Sequence, residues 1–163
     1  LVDEPTLQLM KDKDIWLCPQ VIVYTIIPNG YTPDQAAKHR EAYAGIDNMF
    51  TVAKKIGFEN IAFGFDIITD PDVVKRQNDE FVLRTKWFDN AEILRQATSK
   101  SGALIGMSNR FNPGKIGVIE EGALADILLI NGDPLQDISI LTDPEANLAL
   151  IMKGGEIFKN TIK

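Results

Sequence analysis

The chain has 163 residues, 45% apolar and 25% charged, the balance of a globular domain large enough to bury a core. A net charge of −6 without any long basic run excludes an electrostatic footprint for nucleic acid or an anionic membrane surface. No apolar stretch approaches the roughly 18–20 residues that span a bilayer, and the single Cys18 excludes an internal disulfide and a CxxC metal pair.

The polar start, Leu1-Val2-Asp3-Glu4, is not expected to act as a secretory leader. Because Leu1 is not an initiator Met, the chain is expected to be cut from something longer, with any targeting segment upstream. Residues Pro5–Lys13 predict a short helix carrying Leu7 and Met10 on one side. Ile15–Pro19 is an apolar run of strand length ended by proline. Gln20–Tyr31 reads as a long loop with a turn at Pro28-Asn29-Gly30.

Thr32 opens the clearest helix: Thr32 and Gln35 fit a capping box, and Pro33 takes the first helical position. Ala36, Tyr43, Ile46, Phe50, Ala53 and Ile56 follow at helical spacing until Gly57 stops the run. Ile61–Phe65 predicts a second buried strand ending at Asp66, and a polar stretch from Thr69 to Glu80 leads on to Phe81–Thr85. Asp89 or Asn90 caps another helix through Ile93, Leu94, Ala97, Leu104 and Ile105, closed by Gly106.

Beyond Gly106, glycines punctuate short runs of β-formers. Ala125–Ile130 and Leu148–Lys153 are the best strands, and Gly154-Gly155 joins the second to Glu156–Lys159 as a two-residue hairpin. The helix–strand alternation up to residue 107 implies parallel βα units, whereas 108–163 looks antiparallel. Two βα units cannot close a barrel of roughly 250 residues, so the strands are expected to need partners.

Asp66 is the most informative side chain, since a carboxylate at the end of a buried strand suits metal binding or general-base work. A capping aspartate for the next turn is the equal alternative. Cys18 reads as a buried small hydrophobe, and His39, within Lys38-His39-Arg40, as a solvated surface residue. A catalytic zinc site needs about three protein ligands, more than one histidine can supply. Lys75-Arg76-Gln77-Asn78-Asp79-Glu80 reads as a solvated charged run, with the sharper option that a basic residue meets an anionic substrate group. Tyr24 is a packing aromatic or a hydrogen-bond donor into a site.

Three segments carry a family likeness: Glu92–Gly106, Gly117–Asp126 continuing through Ile127–Leu135, and Met152-Lys153-Gly154-Gly155-Glu156-Ile157. With their order and spacing, the chain resembles the C-terminal part of the amidohydrolase superfamily. The resemblance implies an α/β fold: the last βα units of a TIM-type barrel in residues 1–107, and C-terminal strands of a composite β-sandwich in 108–163. It implies a metal-dependent hydrolase of amide C–N bonds, with zinc or another divalent metal in the complete enzyme.

In that family the metal ligands are a His-x-His pair, often a bridging lysine, two later histidines, and an aspartate ending the eighth strand. Asp66 occupies that last position, as metal ligand and catalytic carboxylate. Ile15–Pro19 matches the seventh strand, and Leu1 falls just past the expected sixth-strand histidine. The chain alone is therefore expected to be inactive and to bind no metal. Gly64-Phe65-Asp66 departs from the usual Gly-Thr-Asp, which changes the pocket wall beside the carboxylate.

Cys18–Tyr24 and Arg76–Phe81 are most similar to prolidase-like members, which act on Xaa-Pro dipeptides or N-acyl amino acids. By that likeness Tyr24 and Arg76 are substrate contacts. Imidazolonepropionase-like enzymes, which open cyclic amides, share much of the same tail, and a non-catalytic barrel remnant serving binding or assembly is the rival from another class. The expected partners are a small-molecule or dipeptide substrate, the N-terminal remainder of the subunit and further copies in a homo-oligomer; the compartment is not readable from the sequence.

Overall fold

Asp3 opens the first helix of the computed structural model, α1 (Glu4–Asp12), by accepting the Thr6 amide at 3.0 Å, a side-chain cap for an otherwise orphaned donor. The structure describes residues 2–67, 71–108 and 114–162; Thr69 and Asp70, which begin the polar stretch, lie outside them. Leu7 is fully buried and Met10 packs at the core margin, as their helical spacing predicts.

The two apolar runs after α1 lie side by side and parallel. Leu17 donates to the Asn60 carbonyl at 2.9 Å and accepts from the Ala62 amide at 2.9 Å, bridging Leu17 to Ile61. Pairing stops at this single bridge, shorter than the strands expected. Pro19 has no N–H to extend the ladder. Both runs therefore point the same way, and Pro19–Val21 and Phe63–Asp66 leave the pair at the same end. The expected loop beyond Pro19 holds one helical turn, α2 (Ile22–Thr25).

The crossover between them is α3 (Pro33–Lys55), whose capping box is complete: the Thr32 hydroxyl accepts from the Gln35 amide and the Gln35 side chain accepts from the Thr32 amide. Gly57, at φ +63°, lets the chain leave in the left-handed conformation while Phe58 donates back to the Ala53 carbonyl. Ile46, Met49, Phe50 and Ala53 form its buried stripe and meet Leu7, Val21, Phe58, Ile61 and Trp87 in the first core.

After α4 (Pro71–Val74) come α5 (Asp79–Arg84) and α6 (Asn90–Arg95), the latter capped by Asp89 on the Glu92 amide. The long helix expected to Gly106 is interrupted by a π turn at Gln96–Lys100 before resuming as α7 (Ser101–Gly106). The widened turn has an identifiable partner: the Ser101 hydroxyl donates to the Gln96 carbonyl at 2.7 Å and accepts the Phe63 amide at 3.1 Å. The glycine-rich segment at Ile116–Gly117 then lies directly on this helix. A Cβ on Gly102 would fall 2.4 Å from the Ile116 carbonyl oxygen.

The remaining strands, β1 (Ile127–Ile130), β2 (Leu148–Lys153) and β3 (Glu156–Asn160), form an antiparallel sheet in the order β1-β2-β3. Gly154 and Gly155, at φ +56° and +86°, make the expected two-residue turn. Between β1 and β2 run a 3₁₀ turn (Ile138–Thr142) and α8 (Pro144–Asn147). Ile93, Ile138, Leu141 and Leu148 form a second core, lined by Phe63, Phe81, Phe88 and Ile130. That core takes residues from both sides of position 107, and Phe88 touches both cores. The sheet leaves Leu128, Leu129, Ile157 and Phe158 largely uncovered. Within the described residues no helix is long and apolar enough to cross a membrane.

Candidate functional site

Asp66 stands at the exit of the second parallel run with φ +50°, a left-handed conformation that costs an L-residue free energy and that aspartate tolerates better than most. Its side chain is exposed and hydrogen-bonds to no described residue. The turn that a capping Asp66 would hold begins at residues 68–70, which lie outside the described residues. Phe65 beside it is half-buried and lines, with Phe63, Phe81 and Leu128, an apolar cleft of about 550 Å³ between the helical part and the sheet.

Tyr24 rides on α2 at the same end of the parallel pair. It is half-buried against the first core and lines a cleft of about 320 Å³ with Leu17, Pro19, Gln20 and Ile46. Its ring lies 5.4 Å from that of His39. His39 departs from its expected place in solvent: it is half-buried between Tyr24 and Tyr31, with Nε2 3.1 Å from the Val23 carbonyl. The loop from Val21 to Tyr31 folds back over that face of α3 and covers it. The periodicity of α3 alone could not show this.

Arg76 is exposed and paired with Asp79, Nε to Oδ2 at 2.9 Å. It lines a different cleft, of about 490 Å³, with Thr25, Val82, Leu83 and Thr142. Tyr24 and Arg76 thus share no cleft, and Asp66 lines neither of theirs. Cys18 also differs from expectation, being exposed rather than buried. The surrounding atoms still partly shield the thiol and push its pKa up, while the Arg84 charge pulls it down.

The charged run Lys75–Glu80, expected in solvent, ends inside the protein. Glu80 is fully buried and accepts from the Val21 and Ile22 amides at 2.9 and 2.7 Å. Arg84, also fully buried, donates from Nε to Glu80 at 2.7 Å. Its terminal nitrogens donate to the Gln96 side chain at 2.6 Å, the Ala62 carbonyl at 3.1 Å and the Pro19 carbonyl at 2.6 Å. The guanidinium also packs on the Phe63 ring, 4.6 Å from its centroid.

Burial pushes the Glu80 carboxyl up, and the Arg84 charge with the three N–H donors draws it back. Burial likewise lowers Arg84, opposed by Glu80. Sequence reading missed this system. Its available signal was the Glu80–Arg84 spacing of four, acid before base, beside the apolar Phe81 and Leu83.

These residues do not fit a complete metal site. Among the described residues no three His, Cys, Asp or Glu side chains stand close enough to hold an ion. His39 is enclosed by two tyrosines, and Asp66 presents one carboxylate. That is one ligand residue, not a coordination sphere.

No protein-family model matches the sequence, and no curated relative does either. Solved structures do match. An amidohydrolase superposes with a TM-score of 0.86 at 26% identity, over 100% of this chain and 39% of its own. A prolidase crystallised with N-methylphosphonate-L-proline gives 0.84 at 26% identity, over 98% of this chain and 38% of its own. The ochratoxinase of A. niger gives 0.79 at 26% identity, over 98% and 35%. The chain therefore spans less than two fifths of the length of each of these structures, and corresponds to the C-terminal part of amidohydrolase-superfamily proteins.

Proposed function

From a chain built like the C-terminal part of amidohydrolase-superfamily proteins, we infer one section of a hydrolase of amide C–N bonds, with Asp66 as its catalytic carboxylate. The observation that carries this is Asp66 itself: a left-handed residue at the exit of a buried parallel run, its carboxylate held by no described neighbour. Strain of that kind, with no bond from a described neighbour to repay it, is what a functional side chain costs a fold. A free carboxylate there can take a proton from an attacking water and pass it to the leaving amine.

Residues 1–107 are then the last βα units of a TIM-type barrel, and 108–163 the C-terminal strands of a composite sandwich. The uncovered Leu128, Leu129, Ile157 and Phe158 support a sheet that other strands of the same subunit complete. A divalent metal such as zinc belongs to the complete subunit, with its histidine ligands supplied from outside this chain and Asp66 as this chain's ligand. The substrate class we favour is Xaa-Pro dipeptides or N-acyl amino acids, supported by the likeness to a prolidase. Tyr24 is the better substrate contact, because it lies at the same end as Asp66; Arg76, paired with Asp79 on another cleft, is the weaker.

The test is hydrolysis by the complete subunit carrying this chain, using Xaa-Pro dipeptides, N-acyl amino acids and cyclic amides. Asp66→Asn should lower kcat by at least about 100-fold, the usual worth of a positioned acid–base group, with stability unchanged. Full activity in that variant would remove Asp66 from the chemistry. Turnover of cyclic amides alone would move the substrate class to the imidazolonepropionase type.

A further inference from the structure

The buried Glu80–Arg84–Gln96 system touches every piece of backbone that leads toward the proposed site. Glu80 holds the Val21 and Ile22 amides, where α2 begins, two residues before Tyr24. Arg84 holds the Pro19 carbonyl at the end of the first parallel run and the Ala62 carbonyl within the second, four residues before Asp66. Gln96, at the start of the π turn, accepts from Arg84 and donates to Glu92 at 3.1 Å, and Glu92 in turn accepts from Lys100 at 2.7 Å. Every buried side-chain polar atom among the described residues has a partner, so this geometry has no slack.

A buried ion pair is poor evidence of stabilisation, since desolvating two charges costs about what their attraction returns. Fixing a geometry is the use that this connectivity serves. The two carbonyls that Arg84 ties belong to neighbouring runs already joined at Leu17 and Ile61, so they need no further tether to stay together. They do need one to hold a set spacing at the end where the ladder has stopped.

We propose that Glu80 and Arg84 are positioning residues, which set the Tyr24-bearing turn against the Asp66-bearing end of the second run. The functional consequence rests on the amide-hydrolase reading above; the positioning itself does not. A planar guanidinium gripping two carbonyls and a carboxylate that spans two successive amides allow little rotation of α2. Tyr24 is then delivered to one place, with the His39 ring as its outer wall.

The test uses the complete subunit with tyrosine replaced by 3-fluorotyrosine, so that Tyr24 and Tyr43 report by ¹⁹F NMR, each resonance assigned by its Phe variant. Glu80→Gln keeps the size of the side chain and removes its charge. We expect the Tyr24 resonance to shift or split while Tyr43, carried by α3, stays in place. An unmoved Tyr24 resonance in folded Glu80→Gln overturns the proposal. Should that variant not fold, Gln96→Met, which removes one acceptor from Arg84, is read in the same way.

In hydrolysis of an N-acyl-L-proline, Glu80→Gln should raise KM about tenfold with kcat within about threefold. Adding Tyr24→Phe should cost little more, whereas additive losses overturn the positioning role. A wild-type subunit that cleaves no amide sinks the functional reading alone, and the ¹⁹F comparison still decides the positioning.

Discussion

Gly102 and Gly106 lie one turn apart on α7, and the same substitution should act on them with opposite sign. Neither has a left-handed backbone, so alanine gains the ordinary helix preference, up to about 1 kcal/mol in an interior turn and less at the end. At Gly106 a Cβ meets nothing within 4 Å among the described residues. Gly106→Ala should therefore stabilise by a few tenths of a kcal/mol.

At Gly102 the Cβ would sit 2.4 Å from the Ile116 carbonyl oxygen and 3.1 Å from its carbon, well inside ordinary contact. Those atoms are backbone and cannot rotate away, so the Ile116–Gly117 segment has to lift. Gly117 is itself pinned, its own Cβ position 2.3 Å from the Thr98 carbonyl oxygen. Overpacking of this kind costs roughly 1–3 kcal/mol against a helix gain of up to about 1 kcal/mol, which leaves a net loss of up to about 2 kcal/mol. Urea unfolding of each variant, at unchanged m, measures the difference through the midpoint. If Gly102→Ala proves as stable as Gly106→Ala, the glycine-rich segment does not rest on α7 and the packing argument fails.

Thr32→Ala removes one half of the capping box and should cost about 1 kcal/mol in the same measurement, with Gln35→Ala costing less. Asp66→Gly relieves the left-handed strain and should raise stability by roughly 1 kcal/mol while abolishing hydrolysis, so a destabilised but active variant would contradict the site assignment. Acid should destabilise the fold through Asp3, Asp47 and Asp137, whose carboxyls are held below their ordinary value by hydrogen bonds from Thr6, from Lys86 and Trp87, and from Ser139. Burial raises Glu92, but its bonds from Lys100, Gln96 and Arg95 win, and it joins them.

A lowered folded pKa gives stability that is present above the unfolded value and lost as pH falls through the folded one. Glu80 carries the opposite sign, since burial raises it, and favours the folded state on the acid side. Unfolding midpoints from neutral pH down through the carboxylate range should therefore fall. Replacing Glu80 with Gln should steepen that fall, by removing the opposing contribution.

Much of the local structure could be read in advance because it depends on near neighbours in the chain. The Thr32–Gln35 box, the Asp89 cap, the Gly57 exit and the Gly154-Gly155 turn each involve residues within five positions of one another. Short-range chemistry decides them wherever the segment ends up. The position of Asp66 at the end of the second apolar run was readable for the same reason, though that run pairs through one bridge and not as the full strand expected. Its left-handed backbone was not, because that follows from how the chain leaves a run paired to a distant one.

The misread residues share a different cause. Cys18, His39 and Glu80 were judged by the company they keep in sequence: an apolar run, a basic triplet, a charged run. In three dimensions Cys18 ends on an open side of the parallel pair, and the Val21–Tyr31 loop closes over His39. Glu80 begins a helical turn whose inner face meets amides 58 and 59 residues away. The interruption of the long helix at Gln96–Lys100 has the same origin, since Ser101 turns inward to bond Phe63 across 38 residues. The sequence by itself determined the helix caps, the run of α3, the closing hairpin turn and the place of Asp66 at the end of the second apolar run. Only the tertiary structure decided which charges are buried and which loop positions Tyr24, because burial and long-range hydrogen bonds belong to the assembled chain, and the Glu80–Arg84 spacing marks a helical pair without saying whether it is buried.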